Sequence, residues 1–200
     1  IVLLIIGAPI WLALAASGGY WALEMMHLPA QSIPSQFFIS VDSWILLAVP
    51  YFLLAGNLMT YMGPAKNLFK FVDDLVGHLP GGLPAVAVVT ATIFGALSGS
   101  ATATVVAVGT MVIPQMLALG YSKEQSMGVV AVSGTLGQMI PPSIYMIIFG
   151  SMVQLNIADL FKAGIVPGLV MAATLILVAV AWSFKGGVQR KEKASWAQRG

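Results

Sequence analysis

Hydrophobic residues fill this chain in long blocks that are separated by short polar segments. The first two blocks, residues 1–19 and 43–62, each approach the roughly 20 apolar residues that a helix needs to cross a bilayer. The sequence therefore predicts two transmembrane helices within residues 1–62, which we interpret as a scaffold. Another apolar block predicts a transmembrane helix at 155–182. The basic residues within 183–200 predict a cytoplasmic tail, because positive charge favours the inner side of a membrane.

Residues 63–80 have a different pattern. Apolar residues recur at helical spacing on one face, while Lys66, Lys70 and other polar residues occupy the opposite face. This pattern is typical of an amphipathic helix that lies in the membrane interface. A short helix in a solvated loop fits the pattern about equally well. The two lysines favour the cytoplasmic side.

Two apolar blocks within residues 81–154 are interrupted by polar but uncharged runs, at 98–104 and at 133–143. Lipid offers no hydrogen bonds, so unwound backbone at that depth must lie inside protein or against a water-filled cavity. The arms around the first run are short for full crossings, which predicts a re-entrant helical hairpin. Pro141 and Pro142 lack N–H groups and predict an unwound helix in the second run. Two interrupted segments are the best sequence indication of the binding site of a secondary transporter.

The interrupted runs offer hydroxyl and carbonyl oxygens but no ionisable side chain. Calcium and magnesium sites normally include carboxylates, and proton-coupled transporters usually need buried ionisable groups. Sodium is therefore the predicted coupling ion, and no other cofactor is expected. An anionic substrate group could lie at the N-termini of the half-helices. Close helix packing by small residues, as in Gly95-x-x-x-Gly99, is the alternative explanation of the same runs.

Composition excludes several classes of protein. The chain is 58% hydrophobic and 8% charged, whereas soluble domains carry about 25% charged residues, so we assign it to the membrane class. A nucleic-acid partner is excluded because most of the chain would lie in lipid. The absence of cysteine rules out disulfides, thiolate metal sites and cysteine nucleophiles. Ser98 has no nearby base, since His27 and His78 fall in predicted loops, and we do not expect an enzyme.

An ordered set of motifs carries a family resemblance. These are FGALSGSATAT at 94–104, IPQM at 113–116, SGTLG through IPPS at 133–143, and AGIVPG at 163–168. Together they resemble the large membrane subunit of TRAP transporters, the DctM type. The resemblance implies an all-α membrane protein that forms the N-terminal half of an inverted-repeat, elevator-type importer. It further implies sodium coupling, a bacterial inner-membrane location, and carboxylate substrates such as C4-dicarboxylates or sialic acid. The implied partners are a small four-helix membrane subunit and a periplasmic solute-binding protein.

The positions of the two runs correspond to sodium-site regions of the family. The predicted sodium-binding residues are Ser98, Gly99, Ser100, Thr102, Ser133, Gly134, Thr135 and Gly137. Pro141, Pro142 and Ser143 are predicted to hold the helix break and to orient the half-helix that faces the substrate. Two other functions stay open from the residues themselves: a sodium/divalent-anion symporter that needs no binding protein, and a membrane scaffold or channel half that transports nothing.

Overall fold

The computed structural model describes residues 2–78 and 81–185, and every regular element in this part of the chain is helical. The all-α prediction is therefore confirmed. A 3₁₀ turn at Trp44–Leu47 precedes the fourth α-helix. The α-helices are α1 (Val2–Ile5), α2 (Ile10–Glu24), α3 (Ser32–Val41), α4 (Ala48–Tyr61), α5 (Pro64–Val76), α6 (Gly82–Ser98), α7 (Ala101–Ala118), α8 (Lys123–Gly134), α9 (Leu136–Met139), α10 (Ile144–Met152) and α11 (Ile157–Lys185).

Three helical stretches of the described chain are long and apolar enough to cross a membrane: Trp44–Tyr61, Ala101–Ala118 and Ile157–Ser183. The α6 helix is equally apolar but shorter, at 17 residues. Several spans in one chain define a multi-pass membrane protein. The ends of two predicted segments, residues 79–80 of the interfacial helix and 186–200 of the basic tail, lie outside the described residues.

The chain divides into two compact units, Ile1–Trp44 and Ile45–Gly200. In the first unit, the block predicted as one span at 1–19 is divided, because Gly7 has φ +86° and Pro9 occupies the N-cap of α2. The α2 helix is consequently only 15 residues long. The segment between α2 and the 3₁₀ turn also contains a helix, α3, which tolerates Pro34 because that residue lies in the first helical turn.

The second unit is built around α6. This helix contacts α4, α5, α7, α8, α9 and α11, and its Val86, Ala87, Ala91 and Phe94 side chains are completely buried. The amphipathic helix α5 packs Phe69 and Val72 onto this core and leaves its lysines exposed. The α6 arm of the α6–α7 hairpin is thus surrounded by several helices, whereas much of α7 is exposed or only half-buried.

The turn between α7 and α8 ends one helix and starts the next with defined contacts. Ser122 and Gln125 form a capping box, in which each side chain bonds the other residue's backbone. The pKa of the exposed Glu124 carboxyl is lowered, first by a backbone N–H at the helix start and then by the Ser122 hydroxyl. The hydroxyl groups of Tyr121 and Ser183 are 2.8 Å apart and buried, so this turn is joined to the end of α11.

Candidate functional site

The first polar run forms a tight turn between α6 and α7. The α6 helix ends at Ser98, and Gly99 takes a left-handed conformation with φ +63° that a residue without Cβ adopts at low cost. The Ser100 side chain caps α7 by accepting a hydrogen bond from the N–H of Ala103 at 3.3 Å. Only two residues of the predicted interruption at 98–104 are therefore non-helical.

Two hydroxyl groups face each other at this turn. The Oγ atom of Ser98 lies 3.3 Å from Oγ1 of Thr104, and both side chains are fully buried. Thr104 donates its single hydroxyl proton to the Ser100 carbonyl at 2.7 Å. The Ser98 hydroxyl has two acceptors within reach, the Thr104 oxygen at 3.3 Å and the same Ser100 carbonyl at 3.5 Å. The structure therefore brings Thr104 to the site beside the predicted residues. Thr102, which the sequence also nominates, is on the exposed side of the first turn of α7.

The second polar run keeps more helix than the sequence predicts. The α8 helix ends at Gly134, the single turn α9 follows, and Ile140 is extended before the cis-linked pair Pro141–Pro142. Because neither proline has an N–H, helical hydrogen bonding stops at this pair. The non-helical part is narrower than the predicted interruption at 133–143, since α9 forms one turn inside it.

Ser143 joins the two sides of this second break. Its hydroxyl donates to the Gln138 carbonyl at 2.7 Å, and its oxygen accepts from the N–H of Met146 at 3.4 Å in the first turn of α10. The Gln138 carbonyl lacks a helical donor because residue 142 is proline. The fully buried Ser143 hydroxyl supplies that donor, so one side chain both caps α10 and satisfies the end of α9.

Two further hydroxyl groups, one in α8 and one on the residue just after it, donate to carbonyls of α8 rather than to the hairpin. Ser133 donates to the Val129 carbonyl at 2.6 Å, and Thr135 donates to the Val132 carbonyl at 2.7 Å. Both protons are thus used within the helix, and only the oxygen lone pairs remain as acceptors. Ser133 also lines an apolar cavity of about 160 Å³ between α6, α8 and α11, which no residue of the hairpin turn lines.

The two breaks pack against each other through their backbones. The N–H of Ile144 donates to the carbonyl of Gly99 at 3.2 Å, which joins the start of α10 to the hairpin turn. A Cβ atom built on Gly137 would lie 2.7 Å from Oγ1 of Thr104 and 3.0 Å from the carbonyl oxygen of Ser100. These distances leave no room for a side chain at position 137, so glycine is required for the close approach of the two breaks.

Further glycines fit the same junction. A Cβ atom on Gly95 would lie 2.5 Å from the Cα atom of Gly137, and one on Gly56 of α4 would lie 2.9 Å from the Cβ atom of Ser98. Gly134 contacts the side chain of Val105 in α7. Small residues can also be explained by close helix packing. Such packing does occur here, at the same glycines that adjoin the candidate site. Sequence reasoning missed Gly56, because nothing in the pattern of α4 indicates which helix it meets.

Both positive and negative ends of helix dipoles meet at the junction, and no formally charged side chain lies among them. The C-terminus of α6 and the end of the α8–α9 pair carry partial negative charge, and the N-termini of α7 and α10 carry partial positive charge. No ionisable side chain occurs in the stretches 82–122 and 125–158 apart from Tyr121 and Tyr145. Within the described residues, no three His, Asp or Glu side chains cluster as metal ligands. The site can therefore offer oxygens to a monovalent cation and N–H groups to an anion.

These features define a class of protein: a helical, multi-pass membrane protein with two interrupted helical segments that meet inside the fold, an arrangement associated with transporters. Comparison with known proteins gives the family. The family described as "Tripartite ATP-independent periplasmic transporter, DctM component" matches residues 1–200. The chain belongs to this family of TRAP transporter large permease subunits, as its motifs predict.

Three similar proteins illustrate the match. The C4-dicarboxylate TRAP transporter large permease protein DctM of Rhodobacter capsulatus is 36% identical over 100% of this chain and 48% of its own length. The isethionate TRAP transporter permease protein DctMQ of Oleidesulfovibrio alaskensis is 36% identical over 92% of this chain and 29% of its own length. The ectoine TRAP transporter large permease protein TeaC of Halomonas elongata is 37% identical over 98% of this chain and 47% of its own length.

The chain thus spans about half the length, or less, of these curated relatives. All three are named as transporter permeases and the family is one of transporter components, which agrees with the expectation of a transporter rather than an enzyme. The substrate in the name differs from one relative to the next. The resemblance to the family is therefore confirmed, whereas the substrate is not fixed by membership alone.

Proposed function

We propose that this chain is the N-terminal half of the large permease of a sodium-coupled, binding-protein-dependent importer of carboxylates in the bacterial inner membrane. The observation that carries the proposal is the junction of the two breaks, where Gly137 lies against Ser100 and Thr104. Non-helical backbone of this kind is tolerated at membrane depth only where it lies inside protein or lines a water-filled cavity. In a transporter it forms a binding site between helix ends.

Sodium is the coupling ion that this chemistry suits. The buried hydroxyl oxygens of Ser98 and Thr104 are 3.3 Å apart, and the Ser100 carbonyl lies beside them. Since the only proton of Thr104 goes to that carbonyl, its oxygen keeps a lone pair for a cation. With no carboxylate in the set, a monovalent ion is favoured over calcium or magnesium. Gly99, Gly134 and Gly137 contribute close backbone approach, whereas Thr102, Ser133 and Thr135 are the weaker candidates.

The substrate carboxylate would bind at the N-termini of α7 and α10. Ser100 and Ser143 each cap one N–H group of these helices. The helix dipole and the remaining N–H groups of the first turn attract anions. Pro141 and Pro142 hold the break that turns α10 toward the hairpin. C4-dicarboxylates and sialic acid are the substrates that we propose, and the relative from Rhodobacter capsulatus is named for C4-dicarboxylate.

Import further requires partners. We propose a small four-helix membrane subunit, a periplasmic solute-binding protein and a second, inverted half of the permease around this chain. The hairpin of α6 and α7 would be re-entrant, with its turn inside the membrane rather than at the far face. The α6 arm, at 17 residues, is short for a full crossing, although α7 reaches the length of one. The name DctMQ given to one relative is consistent with a permease and a small subunit in one polypeptide.

Uptake into liposomes tests the proposal. The full-length permease is reconstituted with its small subunit and binding protein, with or without an inward sodium gradient, as wild type and as Thr104→Val. Thr92→Val is the matched control, because Thr92 lies in α6 and donates only to its own helix, at 2.7 Å to Val88. We expect uptake to need sodium and the binding protein, and Thr104→Val to raise the sodium concentration for half-maximal uptake at least tenfold.

Each other outcome has a definite meaning. Sodium-driven uptake without the binding protein would identify a symporter of the sodium/divalent-anion type. Uptake that does not depend on the sodium gradient would refute sodium coupling. Equal sodium dependence in the Thr104→Val and Thr92→Val variants would show that Thr104 does not bind sodium. The junction would then be explained by close helix packing alone. Absence of any transport by the complete assembly would favour a scaffold.

A further inference from the structure

Another cavity, with a partly polar lining, lies away from the junction of the two breaks. It has a volume of about 550 Å³ and lies between the end of α4, the exposed face of α5 and the second half of α7. None of the candidate sodium-site residues lines it. Its polar lining comprises Thr60, Lys66, Asn67, Lys70, Asp73, Thr110 and Gln115. A volume of roughly 300–1,000 Å³ is usual for a small-molecule site.

Positive charge dominates this cavity. Lys66 and Lys70 are four residues apart on α5 and so project from the same helical face. Neither forms a salt bridge within residues 2–78 and 81–185. Asp73 also lines the cavity, but its Oδ1 atom lies against Gly77, one helical turn further on. The lining thus carries two ammonium groups and one carboxylate, a formal net charge of +1 that favours an anionic occupant.

The lining also fixes which hydrogen bonds an occupant can make. The Thr110 hydroxyl donates to the carbonyls of Val106 and Ala107, each at 3.0 Å. The Gln115 amide donates to the Met111 carbonyl at 3.2 Å. Their oxygens are left as acceptors that face a ligand with donor groups. A fitting occupant thus combines an anionic group for the lysines with hydroxyl donors for Thr110 and Gln115.

The position of the cavity indicates the source of such a ligand. Thr60 is the penultimate residue of one apolar stretch, Trp44–Tyr61, and Gln115 lies in the last turn of another, Ala101–Ala118. The cavity is therefore at the level where two membrane-long helices end. The buried side chains of Ala65, Phe69 and Ala107 form its apolar floor. Phospholipid headgroups occupy this level, with acyl chains beside the apolar surface.

We propose that this cavity binds the headgroup of an anionic phospholipid with free hydroxyls, such as phosphatidylglycerol. The Lys66 and Lys70 ammonium groups bind the phosphodiester, and the Asn67 amide adds a hydrogen bond at the same face. The glycerol hydroxyls donate to Thr110 and Gln115. The bound lipid holds α5 in the interface, between the spanning helix α4 and the hairpin of α6 and α7.

Lipid retention by the full-length permease tests this assignment. The purified protein is titrated in detergent with phosphatidylglycerol or phosphatidylcholine, and bound lipid is counted by native mass spectrometry. A lysine at the membrane surface is worth about fivefold in affinity for anionic lipid, so the double variant Lys66→Gln/Lys70→Gln should bind phosphatidylglycerol roughly 25-fold more weakly. Lys66→Arg/Lys70→Arg keeps the charge and should retain most binding.

Two further variants separate the cavity from general surface charge. Lys123→Gln/Lys162→Gln removes the same charge from exposed lysines outside the cavity and should leave binding unchanged. Thr110→Trp fills the cavity without altering charge and should abolish phosphatidylglycerol binding. The proposal fails if the two double glutamine variants behave alike, if phosphatidylcholine binds equally well, or if Thr110→Trp has no effect. Displacement of the lipid by millimolar dicarboxylate would assign the cavity to a soluble anion instead.

Discussion

The substitution Gly137→Ala would test the contact that joins the two breaks. The new Cβ atom would start 2.7 Å from Oγ1 of Thr104 and 3.0 Å from the Ser100 carbonyl oxygen. Thr104 is itself held by that carbonyl at 2.7 Å, so neither atom can move alone and the hairpin must shift away from α9. Overpacking of this kind costs about 1–3 kcal/mol. Alanine in a helix recovers about 0.5–1 kcal/mol of that loss.

The matched control is Gly128→Ala in α8, where a Cβ atom would meet nothing within 4 Å. This variant has the helical gain without the clash, so the difference between the two variants isolates the steric cost, about 1–3 kcal/mol. The measurement is the free energy of unfolding of the full-length permease, with and without saturating sodium. We expect Gly137→Ala to be less stable and to lose most of its stabilisation by sodium.

Equal stability of the two variants would refute the close contact between the breaks. A destabilised Gly137→Ala protein that kept its full response to sodium would refute the link between this contact and ion binding, while leaving the packing argument intact. The two outcomes are distinguishable, because sodium stabilises only the state that binds it, by an amount that depends on its concentration relative to its dissociation constant.

Two further predictions concern buried hydroxyls. Ser143→Ala should lower the free energy of unfolding by about 1–3 kcal/mol, because α10 loses its cap and the Gln138 carbonyl loses its donor. Ser143→Thr keeps the hydroxyl and should lower it less. Equal losses in the two variants would contradict this role of the hydroxyl. Tyr121→Phe should cost about 1–3 kcal/mol by leaving Ser183 without its partner. Adding Ser183→Ala should then cost little more, whereas a fully additive double-variant cycle would show that the hydroxyls are not coupled.

Much of the fold follows from the sequence. Long apolar blocks predict helices. The run at 98–104 and the Pro141–Pro142 pair locate both interruptions, because a glycine readily ends a helix and proline removes its hydrogen bonds. The family followed from the order of the motifs. These inferences work because each depends on residues that are adjacent in the chain.

The details of the site depend instead on contacts between distant residues. The sequence could not reveal that Gly56 of α4 lies beneath Ser98, or that Gly95 meets Gly137. It also made both interruptions too long, since hydroxyl side chains such as Ser100 cap helices and thereby extend them toward the break. Ser133 looked equivalent to Ser98 by composition, yet it lines the cavity beside α11. Composition identifies polar side chains, but it does not show which site or cavity each side chain faces in the folded protein.

The hydrogen bond from Ile144 to Gly99 also has a consequence for biosynthesis. Ile144 is about 45 residues downstream of Gly99, and at roughly 5–20 residues per second the ribosome needs about 2–9 seconds to make that stretch. During this delay the hairpin turn has no partner from α10, and lipid cannot supply one. Inserting the hairpin before α10 exists would leave the Gly99 carbonyl without this donor, at a cost of roughly 1–3 kcal/mol. We therefore expect the hairpin turn to reach its final depth in the bilayer late, when the second break arrives with it.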